Sequence, residues 1–552
     1  MKYPVVSVAI LGVLVSIGIV GETRGDSQVR DSKVKTFDVV EATIPEIHAE
    51  MKAGKLTAHQ LVQDYLDRIT AYDHTGPNIN CIVTMNPDAL AEADKLDAEF
   101  KKTGKFVGSL HGIPILVKDE IDAAGMPTTL GSIVFKDYRP TLDSHVVAEL
   151  RKQGAIILGK TTLSEFAAGD TYGSSFAEPG EAFGKTRNPY DPTRTVGGSS
   201  GGSGACLAAN FSTVTIGEET YASIRRPGSW NDVVSMRPTS GLVSRTGMYD
   251  GWPAEPASAG PMARNVADLA RLMDAMVGYD PEDPETALGY GHKPESYVAG
   301  LDKNALKGAR IGVLRTDIGI NTDPTEQDYK EILAGFDQTV TELKAAGAVV
   351  VDPIEIPGLV ELQKKRAGRS DISDVALEAW LARNPNSPFH NRADIGKSPD
   401  LGKIFPPTRA AGFTRPPQPP DMQKYADYLI ARQELMTNLL KVMADNKLDA
   451  IIYRTVEHSP TLISEGIKPP YPTNKGVPIL NTFLVYVPVI TVPSGFTPEK
   501  LPTGVTFMGG PYSDAKMIAL AYAYEQATHH RVPPKSTPPL SAGSPMSAAG
   551  TQ

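Results

Sequence analysis

The stretch "VGGSSGGSGA", residues 196–205, sets three serines, Ser199, Ser200 and Ser203, among five glycines. Glycine at this density lets the backbone come close to something, or it makes a tether. A phosphate cradle of the P-loop type needs a Lys directly after the glycines, and none follows here. A dinucleotide loop needs a strand just before the glycines and an acidic residue about 20 positions later. The preceding "KTRNPYDPTRT" is instead a Pro-containing loop. The nucleophile elbow G-x-S-x-G matches twice, centred on Ser199 and on Ser200, with His458, His529 and His530 downstream as candidate bases. That elbow also needs a strand running into its serine, which the same loop argues against. A tether is contradicted by the apolar, small-residue "ACLAANFSTVTIG" that follows at once. The glycines therefore read as points of close backbone approach.

The elements around this loop alternate. Residues 43–74 pattern as helix, with Thr43/Glu46 and Thr57/Gln60 at capping-box spacing and Leu61, Tyr65, Leu66 and Ile69 at helical intervals. A helix over about 87–102 precedes the apolar run "GIPILVKDEID". Residues 143–153 carry Val146, Val147 and Leu150 on one face and lead into "AIILGK". The pattern returns as helix 421–447, strands "LDAIIY" and "YVPVITVP", and a last helix at 513–528. Helix–strand alternation of this kind predicts an α/β layered fold. Residues 384–420 are Pro-rich and aperiodic, which suits either a lid over a site or a plain surface excursion. The tail from Pro533 to Gln552 has a composition that predicts disorder.

Segment 197–241 resembles the signature of the amidase signature family, the serine amidohydrolases built on a Ser–Ser–Lys triad. That family shows G-G-S-S-G-G-S-[G/A]-A, then D-T-G-G-S-I-R-x-P, then K-P-T-x-G-x-V-S. This chain has "GGSSGGSGA", "EETYASIRRP" and "RPTSGLVSRTG". The similarity extends over about residues 40–530, through "LHGIPILVKDEID", "GKTTLSEFAAG", "FGKTRNPYDP", "VPVITVPSGF" and "LPTGVTFMGG". It implies one large three-layer α/β/α domain, here about 36–532, around a mixed, twisted sheet.

Carried over residue by residue, the resemblance puts the triad lysine at Lys118, the bridging serine at Ser199 and the nucleophile at Ser223, 24 positions after the bridge. A serine hydroxyl needs a base in hydrogen-bond reach, and a free lysine, with a pKa of about 10.4, is protonated. Burial at the end of "PILVK" is expected to lower that pKa. The resemblance places oxyanion donors in the backbone N–H groups of Thr220, Tyr221, Ala222 and Ser223. Ser200 and Arg225 are expected to orient their neighbours. Tyr221, Asp170 and Thr171 are expected at the substrate pocket. Asp119 and Lys160 read equally well as strand-end charges. The chain departs from the family where Tyr221 and Ala222 replace two glycines. Either that loop needs no positive φ, or its geometry shifts.

Net charge is −9 with no dense basic run, which argues against a nucleic-acid partner. No metal-ligand spacing or cofactor motif stands out, so no cofactor or metal is expected. Cys81 and Cys206 can form at most one bridge and read as small core residues. Lys2 followed by "YPVVSVAILGVLVSIGIVG" reads, over residues 1–25, as a signal peptide or an uncleaved anchor. Both imply a periplasmic or secreted protein whose only membrane contact is that anchor. The resemblance implies an amidase acting on a small carboxamide, anilide or carbamate. A histidine-dependent serine esterase and an inactive binding protein on the same fold are the alternatives. Family members acting on aminoacyl-tRNA fit the export segment and the acidic charge poorly.

Overall fold

Runs that are apolar on both faces become strands sandwiched between helices, and "PILVK" is the clearest case. Ile115, Leu116 and Val117 are fully buried, each contributing roughly 1.5–3 kcal/mol by that burial. They carry Lys118 into the interior with them. The computed structural model describes residues 37–173, 175, 184–253, 256–368, 372–416 and 421–540. The export segment expected at 1–25 lies outside the described residues.

In chain order the strands are β1 (Ile82–Met85), β2 (Pro114–Lys118), β3 (Ile156–Thr161), β4 (Val214–Glu219), β5 (Val234–Arg237), β6 (Ser258–Ala263), β7 (Arg310–Leu314), β8 (Gly319–Ile320), β9 (Val349–Ile354), β10 (Ala450–Arg454), β11 (Val477–Pro478), β12 (Val489–Phe496) and β13 (Pro502–Met508). Eleven of them build one sheet in the order β1-β3-β2-β4-β6-β5-β12-β13-β10-β7-β9, and β8 pairs with β11. The triplet β3-β2-β4 is parallel, as is β10-β7-β9. The strands between are antiparallel, so the sheet is mixed, with helices on both faces as expected. Parallel β2, β3 and β4 all end at the same edge, where open α/β sheets form their crevices.

The helix starts follow the sequence. Thr43 accepts from Glu46 N–H while the Glu46 carboxylate accepts from Thr43 N–H. Thr57 accepts from Gln60 N–H at 3.0 Å, and the pattern over 43–74 divides into helices Ile44–Lys52 and Ala58–Tyr72.

Two expectations need correction. Cys81 and Cys206 are disulfide-bonded, with Cα atoms 5.8 Å apart across a separation of 125 residues. The bridge ties the chain just before β1 to the helix Gly201–Ala208 that follows the glycine loop. The tail is anchored at its start: Arg68, itself buried, donates to the carbonyls of Thr537 and Pro538 at 2.9 Å. Residues 541–552 lie outside the described residues.

The Pro-rich segment is not free chain either. Ile395, Ile404 and Phe413 join Leu377, Trp380 and Leu381 in a core with Leu130, Phe135, Tyr138 and Phe166. Asn384 and Trp380 donate to the Asp122 carboxylate, four residues beyond Lys118.

Candidate active site

Lys118 sits at the C-terminal end of β2 and is fully buried. Its Nζ donates to Ser199 Oγ at 2.7 Å, to the Glu218 carbonyl at 3.2 Å and to Glu218 Oε2 at 2.9 Å. Glu120 Oε1 is a fourth neighbour at 2.7 Å. Burial pushes the Lys118 ammonium down, but the two carboxylates outweigh it and the net direction is up. The expectation that burial alone makes Lys118 a free base is therefore corrected: a buried lysine beside paired charges behaves as the pair dictates. Glu120 itself is pushed well above the usual carboxylate range, by burial and by Glu218, against the pull of Lys118.

The glycines place Ser199 against this lysine. Gly197 holds φ +79°, and a Cβ at Gly202 would come within 2.5 Å of the Thr162 backbone, so neither position takes a side chain cheaply. Ser200 Oγ donates to the Glu218 carbonyl at 3.0 Å and accepts from Glu218 N–H at 3.2 Å, fixing β4 beside the loop. Ser200 N–H donates to the Ser223 carbonyl at 3.0 Å, joining the two serine segments.

Ser223 lies in the turn between β4 and the helix Arg225–Trp230 and is 6% exposed. Among the described residues its hydroxyl takes no hydrogen bond, and the N–H groups of Ala222 and Ser223 have no acceptor. Two unengaged N–H groups beside an available hydroxyl are what an oxyanion site requires. Glu219 and Arg225 shape the turn. The Glu219 carboxylate accepts from Ile224 and Arg225 N–H at 3.0 Å and from Arg225 Nε at 2.8 Å. Arg225 also donates to the Tyr453 hydroxyl at 2.7 Å and to the Tyr221 carbonyl. Neither Tyr221 nor Ala222 has positive φ, so this turn does not need the family's glycines.

The expected histidine alternatives are occupied elsewhere. His458 Nε2 accepts from Asp323 N–H at 3.0 Å and its Nδ1 faces Asp328 at 3.0 Å. His530 faces Glu342 at 3.0 Å, and His529 caps the last helix. Among the described residues none of the three hydrogen-bonds to Ser199, Ser200 or Ser223.

The pattern of this fold is shared. A family model described as Amidase matches residues 60–518. The chain belongs to the amidase signature family. The peptide amidase of Stenotrophomonas maltophilia superposes with a TM-score of 0.79 at 34% identity, over 90% of this chain and 98% of that one. A probable amidase of Arabidopsis thaliana is 31% identical over 544 residues, 95% of this chain and 96% of the relative. A glutamyl-tRNA(Gln) amidotransferase chain of Thermosynechococcus vestitus is 33% identical over 506 residues, 88% of this chain and 98% of the relative. As a member of this family the chain is an amide-cleaving hydrolase.

Asp170, Thr171 and Tyr221, expected at the substrate pocket, have the following surroundings. Asp170 pairs with Arg226 at 2.8 Å and accepts from Asn474 N–H at 2.9 Å. Thr171 is fully buried, and its N–H donates to the Gly197 carbonyl. Both brace the glycine loop, and Asp170 also borders a small cavity with Arg409 and Tyr471. Tyr221 is half-buried with the Arg366 guanidinium 5.3 Å above its ring. Glu120 and Glu218 were not foreseen. No periodic signal pointed to Glu120, because the strand ends at Lys118 and the chain turns at 119–120, Ile121 N–H donating to the Lys118 carbonyl at 3.0 Å.

Proposed function

We propose that this amidase is an exported serine amidohydrolase that splits a small carboxamide, anilide or carbamate through an acyl-enzyme on Ser223. The observation that carries the reading is the 2.7 Å hydrogen bond from buried Lys118 to Ser199, made beside a turn in which the Ala222 and Ser223 N–H groups have no acceptor among the described residues. In the proposed reaction Ser223 Oγ attacks the substrate carbonyl carbon and gives its proton to Ser199, which passes its own to Lys118. The developing oxyanion takes the N–H groups of Ala222 and Ser223, with Thr220 and Tyr221 contributing to the same turn. The C–N bond then breaks, and the proton returns through Ser199 to the leaving amine. Water repeats the cycle on the acyl-enzyme. The Ser199–Ser223 contact closes on substrate binding, as catalytic hydrogen bonds commonly do. Ester cleavage is expected as a side activity, because it shares the acylation step.

Export is supported by the apolar run after Lys2 and by the Cys81–Cys206 bridge, since disulfides persist mainly in oxidising compartments. Hydrolysis of peptide amides, 4-nitroanilides, aliphatic amides and carbamates by the purified protein tests the reading. Turnover of at least one class, abolished in Ser223→Ala, supports it; turnover that survives in Ser223→Ala overturns it.

A further inference from the structure

The site contains a third kind of group that the Ser–Ser–Lys reading leaves unused. Glu120 and Glu218 are buried to within 1% of completely, and both reach the same Nζ, at 2.7 and 2.9 Å. Two carboxylates and one ammonium in a dry interior carry a net charge of −1, and an uncompensated charge there is expensive. One more proton makes the cluster neutral. We propose that Glu120 and Glu218 are positioning residues that share protons with Lys118, so that three basic sites hold two protons and the lysine can be neutral when Ser199 needs a base. This inference rests on the proposed function.

The proton count balances. In one arrangement Lys118 is the ammonium, Glu218 the carboxylate and Glu120 the acid. In the other, the proton shifts from Nζ to Glu218 Oε2, both carboxyls are acids, and Nζ is a free amine facing Ser199. Both arrangements are neutral, and the second separates no charge, which the low-dielectric interior favours more than water would. Acylation draws on the second form, and the leaving amine takes back the proton that Ser223 released, so the cluster ends as it began. The upward displacement of Glu120 by burial and by Glu218 agrees with its holding the extra proton.

The groups around Glu120 are few. Lys118 and Glu218 touch it, and the backbone N–H of Tyr249 donates to its carbonyl at 3.2 Å. The Thr220 hydroxyl donates to Glu218 Oε1 at 2.9 Å. The Glu219–Arg225 pair closes on itself at 2.8 Å. Asp119 pairs with Lys160 at 3.4 Å, and Asp122 is taken by Trp380 and Asn384. Lys160 and the Tyr249 phenol also feel the charge of Glu120, but Lys118 and Glu218 are the titratable groups that act most directly on it.

A simple lysine base becomes more active as pH rises. The shared cluster does the opposite: losing its extra proton leaves one proton among two carboxylates and an amine, and the amine holds it. The test is the second-order rate of labelling by a fluorophosphonate probe between pH 5 and 10, with circular dichroism to confirm folding. Wild-type protein is expected to lose rate on the alkaline side. Glu120→Gln mimics the protonated acid, so it should cost less than the about 10²-fold that loss of a general base brings, and the alkaline fall should vanish. Glu218→Gln should behave alike. A wild-type rate that climbs steadily to pH 10, or an alkaline fall unchanged in a folded Glu120→Gln, overturns the proposal while leaving the triad intact. Labelling that persists in Ser223→Ala removes the triad reading itself, and this proposal with it.

Discussion

Lys118 ends β2, Lys160 is the last residue but one of the adjacent parallel β3, and neither is accessible to solvent. Their surroundings push them in opposite directions. Lys160 registers with Val117, so alternation sends it to the other face of the sheet from Lys118. There it meets the Thr128 hydroxyl at 3.0 Å, the Pro127 carbonyl at 3.3 Å and one carboxylate, Asp119, at 3.4 Å. Asp119 is itself held by the N–H and hydroxyl of Thr129. Burial dominates and pushes the Lys160 ammonium down, against Asp119 and Asp122. Lys118 has two carboxylates and a serine within 3 Å, and its net direction is up. Burial alone therefore does not mark a catalytic lysine. Each lysine meets a hydroxyl; what distinguishes Lys118 is that its hydroxyl belongs to the glycine loop and that two carboxylates, not one, lie within 3 Å of it, the groups that the proposed proton transfer uses.

The largest effect that could break this contrast is on turnover. Lys118→Ala should lower kcat/KM by about 10⁴-fold or more, as loss of one member of a catalytic unit does. Lys160→Met strips Asp119 of its partner, which costs about 3–5 kcal/mol of stability and should appear as a lower melting temperature. Its kcat/KM per folded molecule should change less than about tenfold, counting active sites with a fluorophosphonate. Equal losses in the two variants would erase the distinction between the lysines. Ser199→Ala should cost about 10²–10⁴-fold in kcat, the range of a lost proton-transfer step, with Lys118 left in place but out of reach.

Smaller effects sharpen the boundary of the site. Tyr221→Gly should change the ranking of short and long acyl chains in kcat/KM, because the ring and Arg366 lie beside the reactive turn; an unchanged ranking would take Tyr221 out of the pocket. Cys206→Ala should lower stability by about 2–5 kcal/mol, the usual worth of a native bridge, with little change in kcat for the molecules that remain folded. A denaturant titration read alongside activity separates the two.

The main elements were legible because local rules act locally. Thr43 and Glu46 cap a helix through atoms three residues apart, and the apolar runs of β2, β3 and β10 sit where their composition puts them. The partnership of Lys118 with Ser199 was legible only through resemblance, since 81 residues separate them. Glu120 and Glu218 escaped because "KDEID" and "GEETY" look like ordinary strand ends until β2 and β4 are set side by side. The Cys81–Cys206 bridge escaped for the same reason, its two halves being brought together by the packing of the glycine helix. The contacts of Asp170 and Thr171 with Arg226, Asn474 and Gly197 also join distant segments, which no local spacing announces.

The central claim is that the hydroxyl of Ser223, served by Lys118 through Ser199, forms the acyl-enzyme. Peptide mapping of fluorophosphonate-treated protein by mass spectrometry tests it most directly. The account predicts one modified residue, Ser223, with labelling lost in Ser223→Ala and slowed by about 10⁴-fold in Lys118→Ala. A label on Ser199 or Ser200, or an undiminished rate in Lys118→Ala, would contradict it.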